Sequence, residues 1–339
     1  MSYKKPAISS IHFPAFKTSL PSMVGKTVAI TGTTSGTGQI AARTVVELGA
    51  KVLLLNRPSS RSEVSFSALK EAFPTADLHQ VACDLQSFDS VRAAARAVTK
   101  LCPEGLHVLA NNAGVMALPD AATGDGYDVQ MQTNHLSHFL LTGELMPSLE
   151  KAAATSGEAR VVNHSSIARM GPSKTLLARF LEARGGELGG DGSSFQNALM
   201  RGPRWLRYNQ SKLANCAFTA ALHERLQVRG SQVKALVAHP GLANTNLQVT
   251  SIKEGGMGKL ATGMVMRMSQ SPEDGTMGIL SAMCLPNAES GQFYGPGAGM
   301  MAGEGKAIAF ALEPFYDNPE TRALLWSKSV EAVGATYLG

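Results

Sequence analysis

The sequence predicts an α/β fold, a single domain on a doubly wound parallel sheet. Three observations predict it. Short apolar strands alternate with amphipathic helical stretches along the chain. The strands are apolar throughout instead of alternating, which marks strands covered by helices on both faces. A glycine-rich turn, "TGTTSGTG" at 31–38, joins the first strand to the first helix.

Each element follows in order. "KTVAITG", from residue 26, reads as a strand ending in glycine. "GQIAARTVVELG" reads as a helix with Ile40, Ala41, Val45 and Leu48 on one side and Gly49 as its stop. "AKVLLL", "DLHQVACDL", "HVLANNAG", "ARVVNHSS", "VKALVAHPG" and the short "GQFYGP" supply the later strands. Helices are expected at "DSVRAAARAVTKL", over about 127–151, and from about Tyr208 to Leu226. "SPEDGTMGILSAM" starts a helix with Ser271 as cap, Pro272 in the first helical position and Asp274 completing a capping box. "NPETRALLWSKSVEAVG" is the last helix, capped by Asn318–Pro319, with Ala323, Trp326, Val330 and Val333 on its buried side.

At 339 residues the chain has room for one large domain or two small ones. No composition break or internal repeat divides it, so residues 25–339 are expected to form one domain. Hydrophobic content of 44% describes an ordinary globular protein. The net charge of +5 is scattered, with no basic run, which argues against nucleic acid. Cys83, Cys102, Cys216 and Cys284 lie far apart with no CxxC pair, so no metal site is expected. Reduced thiols fit a cytoplasmic protein. No apolar run reaches the length of a membrane span. Residues 1–24 carry three lysines, five serines and no acid. They read either as a targeting leader, which would make the protein organellar, or as an arm packed on the domain.

The glycine turn has the makings of a dinucleotide site. Gly32 allows a tight turn, Gly36 lets backbone approach a pyrophosphate, and Gly38 lets helix pack close to strand. With Thr34, Ser35 and Thr37 between them, these residues open a helix whose free N–H groups and positive end suit phosphate. The next strand ends in Asn56 and Arg57, where an acid would hold the 2′-hydroxyl of NAD. A neutral residue followed by a guanidinium suits a 2′-phosphate, so NADP(H) is the expected cofactor. Arg57 pointing only to solvent is the alternative. Asp84 and Leu85, at the end of the third strand, are placed for the adenine, and Asn112, Ala113 and Gly114 for the ribose. Tyr208 and Lys212 stand four apart, one helical turn on a shared face.

The glycine turn, Asn111–Asn112–Ala113–Gly114 and Tyr208-x-x-x-Lys212, in that order, resemble the short-chain dehydrogenase/reductase family over about residues 25–335. "TNHLSHFLLTGEL", "NHSS", "YNQSKLAN", "HPGLANT" and "SPEDGT" most resemble retinol dehydrogenases and the related protochlorophyllide reductases. The resemblance implies a Rossmann fold with Tyr208 as general acid/base. It implies that Lys212 favours the phenolate and holds the nicotinamide ribose, and that Ser166 bonds the substrate oxygen. It implies that Asn134 fixes a helix kink and a proton-relaying water. Pro240, Gly241 and Thr245 would pass near the nicotinamide. Ser165 is the rival of Ser166, and spacing favours Ser166. His135, His138 and His164 are expected to be packed structural residues.

Between Ser166 and Tyr208 lie 41 residues, many more than in the commonest family members. "SKTLLARFLEARGG", inside an insertion over about 169–204, reads as a helix capped by Ser173 and stopped by Gly185. Its Leu176, Leu177, Phe180 and Leu181 are expected to bury beside the Tyr208 helix, leaving a monomer or dimer sooner than a tetramer. Met257, Met264, Met266 and Met268 are expected over the substrate, with core packing as the alternative. Leu242 stands where protochlorophyllide reductases carry cysteine, and Ser166 where they usually carry threonine. The expected function is therefore NADP(H)-dependent interconversion of carbonyl and alcohol on a sizeable apolar substrate. The alternatives are a tetrapyrrole-type double-bond reductase and a non-catalytic NADP(H)-binding sensor or scaffold.

Overall fold

The computed structural model describes residues 8–243, 251, 253–256, 269–298 and 303–338. The strands are β1 (Thr27–Thr31), β2 (Lys51–Asn56), β3 (Leu78–Ala82), β4 (Val108–Asn111), β5 (Ala159–His164), β6 (Val233–Ala238), β7 (Gln292–Ala298) and β8 (Glu304–Ala311). They form one sheet in the order β3-β2-β1-β4-β5-β6-β7-β8. Pairing is parallel from β3 through β7, as expected. β8 is a correction: it runs antiparallel to β7 at the sheet edge. It does carry an apolar run, "AIAFA" at 307–311, but at the sheet edge those residues stay half-buried or exposed, and sequence reasoning missed it. Strand order reverses between β1 and β4, which opens a crevice at the C-terminal strand ends.

Helices cover both faces. Alternate residues of β1 point opposite ways, Ala29 into one apolar layer and Val28 and Ile30 into the other. The first layer is filled by α4 (Phe88–Leu101), α6 (Ser137–Ser156), α8 (Pro203–Val228) and α10 (Pro319–Val333), through Val91, Phe139, Phe218 and Trp326. The second is filled by α2 (Gly36–Glu47) and α9 (Pro272–Cys284), through Ala41, Val45, Ile279 and Leu280. α3 (Ser60–Ala72) joins β2 to β3. On α10 the buried residues are Leu325, Trp326, Ser329 and Val333, and Ala323 is exposed, contrary to expectation.

The helix expected over 127–151 starts at Asp128, whose carboxylate accepts from the N–H groups of Gln130 and Met131. It runs as α5 (Val129–Met131), a π-helical turn at Gln132–Leu136, and then α6. That wide turn is centred on Asn134.

Residues 8–24 pack on the domain: α1 (Phe13–Thr18) sets Phe13 and Phe16 against the second layer, and Leu20 and Met23 are buried. The latch is Asp274, at the start of α9. Ser271 caps that helix by accepting from Asp274 N (2.9 Å), but the expected capping box does not close. The Asp274 carboxylate turns outward and accepts from Ser10 Oγ (2.7 Å) and the N–H groups of Ile11, His12 and Phe13 (2.9, 2.9 and 2.8 Å). Four donors satisfy an ionised carboxylate better than one.

The insertion helix expected at 173–185 does not form. That stretch holds only a 3-10 turn at Ala178–Phe180, and the insertion's one α-helix among the described residues is α7 (Ser194–Ala198). Ser173 Oγ accepts from Thr175 N, two residues on, a local turn that competes with helix capping. Gln210 on α8 then holds the chain extended, accepting from Leu177 N (2.8 Å) and donating to Thr175 O (3.0 Å). Leu176, Phe180 and Leu181 bury as the pattern implied. Tertiary anchoring outweighs the costly nucleation of a short helix.

Candidate active site

The glycine turn sits at the C-terminal end of β1. Gly32 and Gly36 have φ of +72° and +62°. A Cβ on Gly32 would lie 2.8 Å from Ala113 Cα, and one on Gly38 would lie 2.3 Å from both Gly32 O and Asn112 Nδ2. Both approaches therefore need glycine. Ser35, at the N-cap of α2, makes no side-chain cap bond, so the first N–H groups of the helix stay available. Thr34 and Ser35 are half-buried at this rim.

Several expected cofactor contacts turn out to be braces. Asn112 donates to Thr31 O (2.8 Å) and Gly32 O (3.2 Å), and its Oδ1 accepts from Thr37 Oγ1 (3.1 Å) and His164 Nδ1 (2.8 Å). Its side chain is spent on holding the turn to β4 and β5. Asn56 likewise accepts from Thr33 N (2.8 Å) and donates to Thr33 Oγ1 (2.7 Å). Arg57 is exposed, with no side-chain hydrogen bond or ion pair among the described residues. Asp84 lies two residues past β3 and accepts from Gln86 N (3.0 Å), while Leu85 packs in the first layer.

Tyr208 lies on α8, 4% exposed. The Ser166 side chain, half-buried after β5, hydrogen-bonds to the phenol, and Ser166 also accepts from Ala168 N (3.2 Å). Burial pushes the phenol up to about 12, with the Ser166 bond opposing it. Lys212 Nζ lies 5.9 Å from the Tyr208 ring centroid and donates to His164 O (3.0 Å). Burial brings the ammonium down to about 8. The expected lowering of the phenol by Lys212 does not show: desolvation raises it, and only the Ser166 bond opposes. Ser165 is engaged elsewhere, donating to Lys212 O (2.8 Å) and accepting from Cys216 Sγ (3.1 Å).

Asn134 is pinned from the π turn. Its Oδ1 accepts from Val115 N (2.8 Å), and its Nδ2 donates to Val115 O (3.0 Å) and Ser211 Oγ (2.8 Å). A Cβ on Gly114 would sit 3.1 Å from both Asn134 Oδ1 and Lys212 Nζ, so glycine leaves the lysine room. The backbone oxygen of Asn134 accepts from His138 Nδ1 (3.0 Å), and Thr31 Oγ1 lies 2.9 Å from His138 Nε2. His135 Nε2 meets Ser329 Oγ (2.8 Å). Burial pulls His135, His138 and His164 down to about 3, 4 and 3. All three are neutral, buried structural groups.

The far wall is the turn after β6. Gly241, at φ +64°, follows Pro240, whose oxygen accepts from Gln270 Nε2 (2.8 Å). Thr245, Met257, Met264, Met266 and Met268 lie outside the described residues. Sequence reasoning missed Trp205. Its ring meets Tyr208 edge-on at 5.9 Å and its Nε1 donates to Gly256 O (2.9 Å). With Met116 and Ala117 it packs beside Tyr208 in a small buried apolar cluster. The available signal was a tryptophan on the same helix, three residues before the tyrosine.

Residues 26–178 match the short chain dehydrogenase family. A short-chain dehydrogenase/reductase of Aspergillus calidoustus is 30% identical over 299 residues, 84% of this chain and 88% of that protein. Polyprenol dehydrogenase of Homo sapiens is 30% identical over 93% of this chain and 87% of its own length. Retinol dehydrogenase 14 of Mus musculus is 31% identical over 80% and 78%. The crystal structure of an uncharacterized Mycobacterium paratuberculosis protein is 30% identical and covers 97% of this chain and 98% of that one, with a TM-score of 0.69. Sheet order, glycine turn and relatives of matching length agree: the chain belongs to the short-chain dehydrogenase family and is a retinol dehydrogenase-like oxidoreductase on a nucleotide-binding Rossmann fold.

Proposed function

We propose that this protein interconverts a carbonyl and an alcohol on a sizeable apolar substrate, using NADP(H), with Tyr208 as general acid/base. The observation that carries the reading is the convergence of Ser166 and Lys212 on one buried phenol at the C-terminal edge of the sheet. The apolar cluster of Met116, Ala117 and Trp205 beside the phenol favours an apolar substrate. So do the names of two relatives, polyprenol dehydrogenase and retinol dehydrogenase.

The residues fit a dinucleotide. The backbone of Gly32, Thr34, Ser35, Gly36, Thr37 and Gly38 would hold the pyrophosphate at the start of α2. Arg57, whose side chain has no partner among the described residues, would take the 2′-phosphate. Backbone at Asn112, Ala113 and Gly114 would line the ribose, with Lys212 reaching its hydroxyls. The nicotinamide supplies or takes up the hydride.

In reduction the protonated Tyr208 donates its proton to the substrate oxygen as charge builds there. A phenol near 12 is held in the acid form at neutral pH, ready for that step. Ser166 donates to the same oxygen and lessens its charge. The Lys212 ammonium stabilises the phenolate left behind, and Asn134 anchors the π turn beside Lys212. General acid catalysis of this kind contributes about 10²–10⁴-fold.

Assembly follows from α8. Residues 207–222 of that helix are all buried, so it offers no open face for pairing with another copy, which favours a monomer or a dimer through another surface. Among the described residues no helix is long and apolar enough to cross a membrane.

The test is NADPH consumption across retinoid, steroid, quinone and fatty aldehyde substrates. Turnover of a large apolar carbonyl, absent in Tyr208→Phe, is expected. NADPH binding without turnover of any of them would favour the scaffold reading.

A further inference from the structure

The insertion carries an inside-out helix. On α7 the polar Asn197 is buried, donating Nδ2 to Asp191 O (3.1 Å), while Phe195 is 73% exposed. Leu199 and Met200 follow at 49% and 39%. Phe195 and Leu199 stand four apart and so share a side of the turn. The tip is held in place: Ser193 and Gln196 close a capping box, and a Cβ on Gly202 would lie 3.1 Å from Gln196 Cβ. A contiguous apolar group held outward is the mark of a contact surface, since folding alone would bury it.

Charge surrounds this tip. Arg201, exposed and with no side-chain partner among the described residues, follows Met200 directly. Next to it, Gly202 and Pro203 line a groove of about 380 Å³ with Arg179, Arg184 and Glu187. Arg184 pairs with Glu182 (3.0 Å). Over 172–204 five basic residues stand against three acidic ones.

The tip is also tied to the active site. Asp191 pairs with Arg204 (2.9 Å), and Arg204 donates to Glu254 O (2.5 Å). Two residues on, Gly256 O accepts from Trp205, whose ring rests against Tyr208.

We propose that Phe195, Leu199 and Met200 dip into the headgroup region of an anionic lipid surface, with Arg201 and its basic neighbours at the phosphates. Docking this way sets the mouth of the Tyr208 site against a bilayer, where a large apolar carbonyl or alcohol resides. The docking stands on the surface alone; what it delivers rests on the apolar-substrate reading. A lipid suits the tip better than a protein. Three side chains on a projecting turn fall far short of the roughly 800 Å² per partner of a stable protein interface. A few apolar groups beside an unpaired guanidinium, in a segment with a net positive charge, are enough for interfacial binding to anionic lipid.

The test is flotation of the full chain with phosphatidylcholine vesicles, alone or with about 30% phosphatidylserine. The wild type should float with the anionic vesicles and release as salt rises. Phe195→Ser combined with Leu199→Ser should weaken that partition about tenfold or more. It should leave thermal stability and turnover of a small water-soluble carbonyl unchanged. Arg201→Glu, at an exposed position, should weaken it without touching the apolar group. Wild type that floats with neither vesicle, or variants that float as well as wild type, would overturn the proposal. So would a wild-type dimer that the double variant dissolves, because the patch would then be a protein interface. Flotation without turnover of any apolar carbonyl would uphold the docking and sink the substrate reading instead.

Discussion

Arg207 Nε stands 3.3 Å from Asp128 Oδ2, and both side chains are wholly removed from water. The same guanidinium donates to Gly190 O (2.8 Å), Leu188 O (3.3 Å) and Leu118 O (3.2 Å). Asp120 closes the tie, accepting from Leu188 N (2.9 Å) and Gly190 N (2.7 Å). One residue before Tyr208, a single arginine thus joins the insertion, the loop after β4 and the cap of the helix that carries Asn134. Burial pushes the Asp128 carboxyl up to about 6, although Arg207 and two backbone donors oppose it.

Arg207→Met should therefore be severe. It leaves Asp128 buried without its counter-ion, a loss of about 3–5 kcal/mol. Urea unfolding would show it as a lower midpoint, and protease should cut the insertion faster. Adding Asp128→Leu should restore part of the stability, because the stranded charge is gone. An unchanged midpoint in the single variant would remove Arg207 from this role.

Asp274 should govern the N-terminal arm. Burial raises its carboxyl, yet the donors from residues 10–13 outweigh burial and hold it below the usual 3.8. A depressed folded value means the latch contributes fully above about 3.8 and is lost as pH falls through the lower folded value. Asp274→Ala should cost about 1–3 kcal/mol and expose Lys17 to trypsin at neutral pH. Equal cleavage of wild type and variant would contradict it.

Arg57→Ala should weaken NADPH selectively, by about 1.5–3 kcal/mol for a lost charge-assisted bond. NADH binding, measured by the same titration, should barely move. Equal losses for the two cofactors would end the 2′-phosphate role. Asn56 contributes differently: bonded to Thr33 on both sides, it shapes the turn, and its replacement should weaken both cofactors alike.

Lys212 sets a pH limit on reduction. Burial lowers its ammonium to about 8, so the charge that stabilises the phenolate disappears as pH rises past that value. The rate of carbonyl reduction should fall there, and Lys212→Arg should remove the fall while slowing the reaction. The same shift has a stability sign. Protonating this lysine opposes folding below about 8, and stability from the group rises from there towards its unfolded value of 10.5. A rate profile flat across that range would contradict the assignment.

Much of the frame was legible because burial on both faces writes itself into strands such as "KVLLL", and glycine into turns such as 31–38. Tyr208 and Lys212 were legible through spacing and Ser166 through the family resemblance; Ser166 bonds the phenol, and Lys212 Nζ lies 5.9 Å from the Tyr208 ring centroid. Three things were not. β8 carries an apolar run, "AIAFA", yet its place at the sheet edge, antiparallel to β7 and half in water, is set by a pairing that the run does not encode. The insertion has helical periodicity at 176–181, but its backbone is claimed by Gln210, a partner some thirty residues away. Asn112 and Asn56 sit where cofactor contacts are expected, and only coordinates reveal that their hydrogen bonds are already used. Local pattern carries burial; it does not carry which polar group pairs with which.

The most direct measurement is single-turnover reduction of the best apolar carbonyl by Tyr208→Phe with bound NADPH. The variant keeps the ring against Trp205 and loses the hydroxyl, with its transferable proton and its bond to Ser166. The account predicts a rate lowered about 10²–10⁴-fold, with NADPH affinity within about tenfold of wild type because the phenol adds one uncharged hydrogen bond at most. A variant that retains more than about a tenth of the wild-type rate would contradict it, since so small a loss lies far below what a general acid contributes.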